Sequence, residues 1–395
     1  MADILASSAS SAHVQTAVDA ASDGDTVLIP NGTVTWTSGV DATAKRIRIR
    51  AENYTPTPAG TAGSGATTRN VTITNNSSES LFSFTTSNDY HCRLSGIAIL
   101  DGTGEGSHLT VRGSGSKPML MDDMYFTLRE RGFPTGRHID WQSLGGVVWN
   151  TVIHPKPGKN LGTPTGESIL LKSTRSWDTA STMGALDTGG LVNWYFEDST
   201  VANASWLDCD ELGRAVMRHC VFDGSWSTTH GLSGAGGRHV EIYDNTFSVT
   251  EADRAIAGRY YWLRAGTGVF TDNVVNNCVN PGAYGSVSFL AIAESFITPS
   301  SNPQDRQAGW GHDGASDVID PIYVWNNTGA RASTWYIDAA WADNVQEGRE
   351  VFVDAGAKPG YSKFTYPHPL RGSGLPTSNP IRSARFPQRA LIRAL

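Results

Sequence analysis

A short phrase returns along this chain, of the form apolar–x–x–Asn-like–x–apolar. Its clearest copies are Ile242-Tyr243-Asp244-Asn245-Thr246-Phe247 and Phe270-Thr271-Asp272-Asn273-Val274-Val275. Looser copies centre on Ile97, Met124, Asn150, Ser199, Cys220 and Asn327, so successive centres lie 27, 26, 49, 21, 25, 28 and 54 residues apart. Reading 49 and 54 as two periods each leaves a repeat of about 25 residues, the size of one solenoid coil. One such unit cannot bury its own apolar face, and stacking successive units builds a continuous core.

The unit reads as strand. Arg46-Ile47-Arg48-Ile49-Arg50 alternates charged and apolar residues, and Val71-Thr72-Ile73-Thr74 alternates Thr with β-branched apolar residues. That is the pattern of a strand with one buried and one solvated face. The Leu-x-x-Leu-x-Leu frame of leucine-rich repeats is absent, and 42 glycines without long helical spacing disfavour helical repeats. The expectation is all-β: a right-handed parallel β-helix. The competing reading, a β-sandwich, would place its turns closer together, roughly every 8–12 residues. Asn at one place on successive coils suits a parallel stack, because it tolerates the left-handed backbone of a corner and stacked amides can hydrogen-bond along the pile.

Val14, Ala17, Val18 and Ala21 follow helical spacing, so residues 12–21 are expected to form a short amphipathic helix capped by Ser10 or Ser11. Laid across the end of a solenoid, it covers the open core. The expected division is a cap over 1–22, a β-helix over 23–330, and a C-terminal extension and tail over 331–395. The repeat fades near Thr328. Residues 53–69, 155–166, 224–238 and 297–317 are rich in Gly, Pro, Ser and Thr and read as inserted loops. In solenoids such inserts gather on one face, often the binding face. The end of the chain, from Ile381, carries Arg382, Arg385, Arg389 and Arg393 without an acid. It reads equally as a solvated terminus and as a tail that docks on an acidic partner or a sister chain.

The run from His13 to Trp36, HVQTAVDAASDGDTVLIPNGTVTW, resembles the opening of right-handed parallel β-helix proteins of the pectate-lyase-like superfamily. The later phrases GGRHVEIYDNTF and RAGTGVFTDN resemble internal coils of that superfamily. The resemblance spans roughly residues 13–330. It implies the fold; this fold hosts lyases, hydrolases, epimerases and non-catalytic virion proteins alike. The Arg-centred motif of classical pectate lyases cannot be placed here.

The net charge of −7 argues against a nucleic-acid surface. No apolar run reaches the ~18 residues that would cross a membrane. The first basic residue is Lys45, so the N-terminus lacks the basic and apolar regions of a secretory signal. The chain is either not exported by that route or trimmed with a restored Met. Cys92, Cys209, Cys220 and Cys278 form no Cys-x-x-Cys pair and read as core packing, with metal ligation by them not expected.

The densest polar run is Trp206-Leu207-Asp208-Cys209-Asp210-Glu211, followed by Arg214, His219, Asp223 and His230. Asp208 and Asp210 share a strand face, and paired carboxylates are what glycoside hydrolysis requires. Such a pair could instead hold Ca²⁺, which would neutralise a uronate while Arg or Lys removes its α-proton; no other cofactor is implied. The candidate catalytic set is Asp208, Asp210, Glu211, His230 and Arg254, with Arg259 and Arg264 a coil or two further on. The bland reading is that Asp and Asn simply decorate coil corners. Among twelve Trp, Trp177, Trp206, Trp226, Trp310, Trp335 and Trp341 lie in or near irregular segments, and the first four are the leading candidates for stacking on sugar rings. Trp149, Trp194, Trp262 and Trp325, inside repeats, are expected to pack.

Two functions are weighed. The first is a bacteriophage virion-associated β-helix (spike, fibre or decoration subunit) that binds surface glycans, works beside other virion proteins and forms a homotrimer by burying one face of each stack. The second is a polysaccharide lyase or glycoside hydrolase acting on an acidic polysaccharide. Both place the protein on a virion or outside the cell.

Overall fold

The computed structural model describes residues 1–57, 69–128, 137–155, 169–172, 193–202, 204–210, 213–229, 237–250, 258–264, 266–278, 287–292, 321–338 and 345–372. Every coil repeats one path. Arg214–Arg218 runs in a first sheet, A; Val221–Asp223 in a second, B; Trp226–Thr229 in a third, C; then His239–Tyr243 returns to A beside Arg214–Arg218. Among the described residues sheets A, B and C hold 12, 9 and 10 strands, and the pairings between their strands are parallel. The chain is a parallel β-helix.

Alternation builds the core. In sheet A, Leu94, Met121, Val148, Phe196, Met217 and Ile242 stand in register on successive coils and are all buried. Each strand inserts every second side chain inward, so parallel register stacks like on like and one apolar column runs the length of the rod. The helix Ser11–Ala20 covers the open end, with Val14, Ala17 and Val18 buried and Ser10 accepting from the His13 N–H at 3.4 Å. Strand Asp3–Leu5 pairs with Thr26–Ile29 ahead of the cap, so the N-terminal segment also supplies the first strand of sheet A. Cys92, Cys209 and Cys220 are buried free thiols; the side chain of Cys278 lies outside the described residues.

The two tasks expected of one corner Asn belong to two neighbouring residues. The left-handed position between sheets A and B falls on Asp123, Asn150, Asp198, His219, Asp244, Asp272 and Asn326, with φ between 47° and 58°. The next residue carries the ladder. Asn245 Nδ2 donates to Asn273 Oδ1 at 3.0 Å, and Asn273 Nδ2 donates to Asn327 Oδ1 at 2.9 Å. The same amides donate to the carbonyls of Met217, Ile242 and Phe270, each at 2.9 Å. Asn150 therefore belongs to the left-handed position, and Thr151 is its coil's ladder residue.

The intervals of 49 and 54 residues are single coils. Gly146–Trp149 pairs directly with Trp194–Glu197, and Val269 to Thr271 pair directly with Tyr323 to Trp325. Each long interval is one turn carrying a long insert, not two turns. The expected loop over 224–238 also shortens, because Trp226–Thr229 is a strand of sheet C. Loop 297–317 and most of 155–166 lie outside the described residues. The stack continues past Thr328 through strands Trp335–Ile337 and Val351–Val353. A C-terminal strap then crosses the outer face of sheet A. There the Arg218 guanidinium, fully buried, binds Glu197 and the carbonyls of Phe364 and Thr365, both at 2.8 Å. Among the described residues no helix is long and apolar enough to cross a membrane.

Candidate functional site

Corner lengths single out one face. From Ser95 onward the corner from sheet A to sheet B takes only one or two residues in each coil through Asn273. The long inserts leave elsewhere. Residues 129–138, 156–168, 250–258 and 279–287 separate a sheet B strand from the next sheet C strand. Residues 173–193, 230–238 and 293–321 separate a sheet C strand from the next sheet A strand. Sheet C is thus bordered by inserts at both ends of its strands.

Its outer face carries charge in rows. Leu207 and Cys209 belong to the core, which leaves Asp208 and Asp210 on the outer side of strand Ser205–Asp210. In register with Asp208 stand Leu170 and Asp140 on earlier coils and Thr228 and Trp262 on later ones. In register with Asp210 stand Lys172, Gln142 and Arg112. Strands of one sheet lie about 4.8 Å apart, so each row is a line of groups at that spacing. Arg112 donates to the Asp140 carboxylate at 2.5 Å and to its carbonyl at 3.0 Å, and Gln142 donates to the other carboxylate oxygen at 3.0 Å. Lys172 Nζ lies 3.7 Å from Asp210, and Arg137 lies 4.0 Å from Asp208. Further along, the guanidinium groups of Arg259 and Arg264 lie 3.9 and 4.8 Å from the centre of the Trp262 ring. Arg259 also reaches the Tyr336 hydroxyl at 3.2 Å.

The two carboxylates differ in access. The Asp208 side chain is fully buried, whereas that of Asp210 is 16% exposed and Lys172 17%. A hydrolase needs both acids at the scissile bond, and Asp208 is closed off from solvent. Beneath them, burial pushes the Cys209 thiol well above its usual range, and the negative charges of Asp208 and Asp210 push it further. That thiol is held protonated and unreactive.

The other expected site residues fall out differently. Trp226 is buried in the core, 6.4 Å from Trp262, which leaves no open ring face for a sugar. Trp206 lies where the strand register shifts, between Ser205 and Leu207; its side chain is outside the described residues. Glu211, His230, Arg254, Trp177 and Trp310 also lie outside them. Arg264 lies two coils from Asp208, and its backbone N–H donates to Thr229 Oγ1 at 2.8 Å on the coil between them. Arg112, Arg137, Asp140, Gln142 and Lys172 are not singled out by the sequence. Their signal is the outward alternation in Ile139-Asp140-Trp141-Gln142 and Ile169-Leu170-Leu171-Lys172, which gains meaning only once these strands are aligned on Leu207 to Asp210. For metal binding, the His/Cys/Asp/Glu grouping compact enough to hold an ion among the described residues is Asp101, His108 and His138, which includes none of the expected carboxylates.

Neither a family model nor a curated protein matches the chain. Among solved structures it is similar to a family-PL6 alginate lyase and to an arginine-to-alanine variant of that enzyme. The variant shares 13% identity over 92% of this chain and 52% of its own, with a TM-score of 0.28. The parent enzyme shares 11% over 89% of this chain and 53% of its own, with a TM-score of 0.21. The chain spans about half the length of those structures. At such TM-scores the likeness says nothing of chemistry; the coil topology identifies the fold by itself.

Proposed function

We propose that this protein is a carbohydrate-active β-helix that holds an extended acidic polysaccharide along the outer face of sheet C and acts on it as a lyase. The observation that carries the proposal is the coincidence of two features on one face. The long inserts border sheet C, and that sheet carries Arg112 and Lys172 in one register row two coils apart, with Arg259 beginning a strand three coils further on and Arg264 just past the end of that strand. A chain of uronates repeats its carboxylates along an axis, and one laid along the stack would meet these basic groups in turn. Lys172, 3.7 Å from Asp210, serves as the base in its neutral amine form, with Asp210 holding it in place. In β-elimination it takes the proton on the carbon next to the uronate carboxylate. The freed electron pair forms the C=C bond, the glycosidic C–O bond breaks, and the leaving oxygen takes a proton from solvent water. A guanidinium beside the carboxylate stabilises the charge that develops there.

The test is incubation with a panel of plant, algal and bacterial acidic polysaccharides, with and without Ca²⁺, followed by absorbance of new unsaturated ends. Cleavage that disappears in Lys172→Ala, while Arg264→Ala weakens binding, supports the proposal. Reducing ends without unsaturation, or binding unaffected by either variant, sinks it.

A second reading is favoured by the closure of Asp208 and the pairing of Lys172 with Asp210: the face binds glycan without turnover, as the adhesive surface of a virion spike or fibre. It predicts salt-sensitive glycan binding, no new ends and a trimer by light scattering.

A further inference from the structure

We propose that Asp101, His108 and His138 form a binding site for one divalent transition-metal ion of the zinc class, inside the solenoid at its corner between sheets B and C. Asp101 ends strand Ile97–Asp101 of sheet B. His108 and His138 precede successive sheet C strands in register, since Leu109 pairs with Ile139 and the His108 N–H donates to the His138 carbonyl at 2.6 Å. The stack therefore places two imidazoles at the same point of adjacent coils, with ring centres 5.0 Å apart and planes inclined by 50°. The Asp101 carboxylate closes the triangle, 3.2 Å from His138 Nε2. The three donor atoms lie within 4.8 Å of one another, and all three residues are buried.

That 3.2 Å separation is close to the spacing of two donors on one tetrahedral zinc, about 3.3 Å for metal–ligand bonds of about 2.0–2.1 Å. The contacts of His108 fit one tautomer. Its Nε2 lies 3.3 Å from the Thr127 carbonyl, and its Nδ1 lies 3.1 Å from the Asn75 amide nitrogen. These partners assign the proton to Nε2 and the lone pair to Nδ1. A ligating histidine typically gives its other N–H to a carbonyl in this way. Thr127 also orients the carboxylate strand, its Oγ1 accepting from the Asp101 N–H at 2.8 Å. On binding, the ion takes the Nδ1 lone pair, and Asn75 keeps its bond to the Gly106 carbonyl at 2.8 Å. Two neutral imidazoles and one carboxylate suit zinc, cobalt or nickel rather than calcium, which prefers six to eight oxygens. A buried water completes the set. No sheet C charge takes part, so this site and the proposed glycan face stand or fall separately.

The full-length chain is expressed in medium supplemented with zinc, gel-filtered, and its metal measured by mass spectrometry. About one zinc per chain is expected in the wild type, with loss of most of it in folded His138→Gln and Asp101→Asn variants. X-ray absorption at the zinc edge needs no variant: a first shell of nitrogen and oxygen at about 2.0–2.1 Å containing two imidazoles is expected. A wild-type chain holding less than about a tenth of an equivalent overturns the proposal. So does a shell lacking imidazole, or folded variants that keep their zinc.

Discussion

Replacing Asn273 with Ala tests whether the amide ladder holds the coils together or merely decorates their corner. Asn273 is fully buried. Its side chain donates to the Ile242 carbonyl at 2.9 Å and to Asn327 Oδ1 at 2.9 Å, and accepts from the Asn245 N–H at 3.1 Å and from Asn245 Nδ2 at 3.0 Å. Two of the four partners have further bonds: Asn245 Nδ2 keeps the Met217 carbonyl, and Asn327 Oδ1 keeps the Asn273 N–H at 3.0 Å. The Asn245 N–H and the Ile242 carbonyl lose the bonds that Asn273 gives them. A buried polar group stripped of its partner costs about 1–3 kcal/mol, so with two such groups the substitution should destabilise by about 2–6 kcal/mol. Asn273→Asp keeps the acceptor and loses the donor, so it should fall between Ala and wild type. The assay is urea unfolding followed by tryptophan fluorescence, with hydrogen exchange at the Asn245 amide as the local readout. In a solenoid each coil contacts only its neighbours, so exchange should rise most at Asn245 and Asn327 and little near the N-terminal cap. A change in stability below about 0.5 kcal/mol, the range of an ordinary surface substitution, would refute the reasoning.

Arg218→Met should destabilise by about 1.5–3 kcal/mol, because it removes one of the two guanidinium groups that hold the buried Glu197, which keeps Arg371 at 2.9 Å; calorimetry and faster proteolysis of the 361–371 strap both read it, and an unchanged melting temperature would contradict it. The strap should loosen in acid. Burial works to raise the Asp272 carboxyl, but hydrogen bonds from Lys363 and Asn326 outweigh it and hold it below its usual value of 3.8. The stability this contributes is present above that value and is lost as pH falls through the lower, folded one. Burial works to lower Lys363, but Asp244 and Asp272 raise it above 10.5, so its contribution is present below that value and disappears only as pH rises through the raised one. Strap exchange by mass spectrometry should therefore climb at the acid end in wild type and be nearly flat there in Lys363→Ala, where the carboxylates have lost their cation. Gly146→Ala should cost about 1–3 kcal/mol, because the added methyl would sit 2.3 Å from Trp141 and 2.7 Å from Trp194 in a packed core; a silent substitution in urea unfolding would show that this core yields.

The fold was legible because its signals are local. Alternation in Val71-Thr72-Ile73-Thr74, helical spacing in Val14, Ala17 and Val18, and Asn at Asn245, Asn273 and Asn327 each report on a few neighbouring residues. Backbone sterics and side-chain direction act over that same range. Two errors came from longer range. Counting residues could not tell a coil with a 21-residue insert from two coils, because an insert leaves the strand pairing on either side unchanged. One spacing pattern could not separate the left-handed corner from the ladder, because Asn serves both and Asn150 and Asn273 stand one residue apart in their roles.

The candidate site lay mostly beyond local reach. Asp208 and Asp210 were visible as a polar run, but Arg112, Asp140 and Lys172 join them only through register across inserts of different length. The same holds for Asp101, His108 and His138, which come together from two sheets and two coils. By itself the sequence determined that this chain stacks parallel strands under a helical cap, since each coil's periodicity and corner chemistry are written within that coil. Only the tertiary structure decided which charges share a face and which are sealed from water, because a parallel stack sets neighbours by strand pairing, and pairing is blind to the number of residues between.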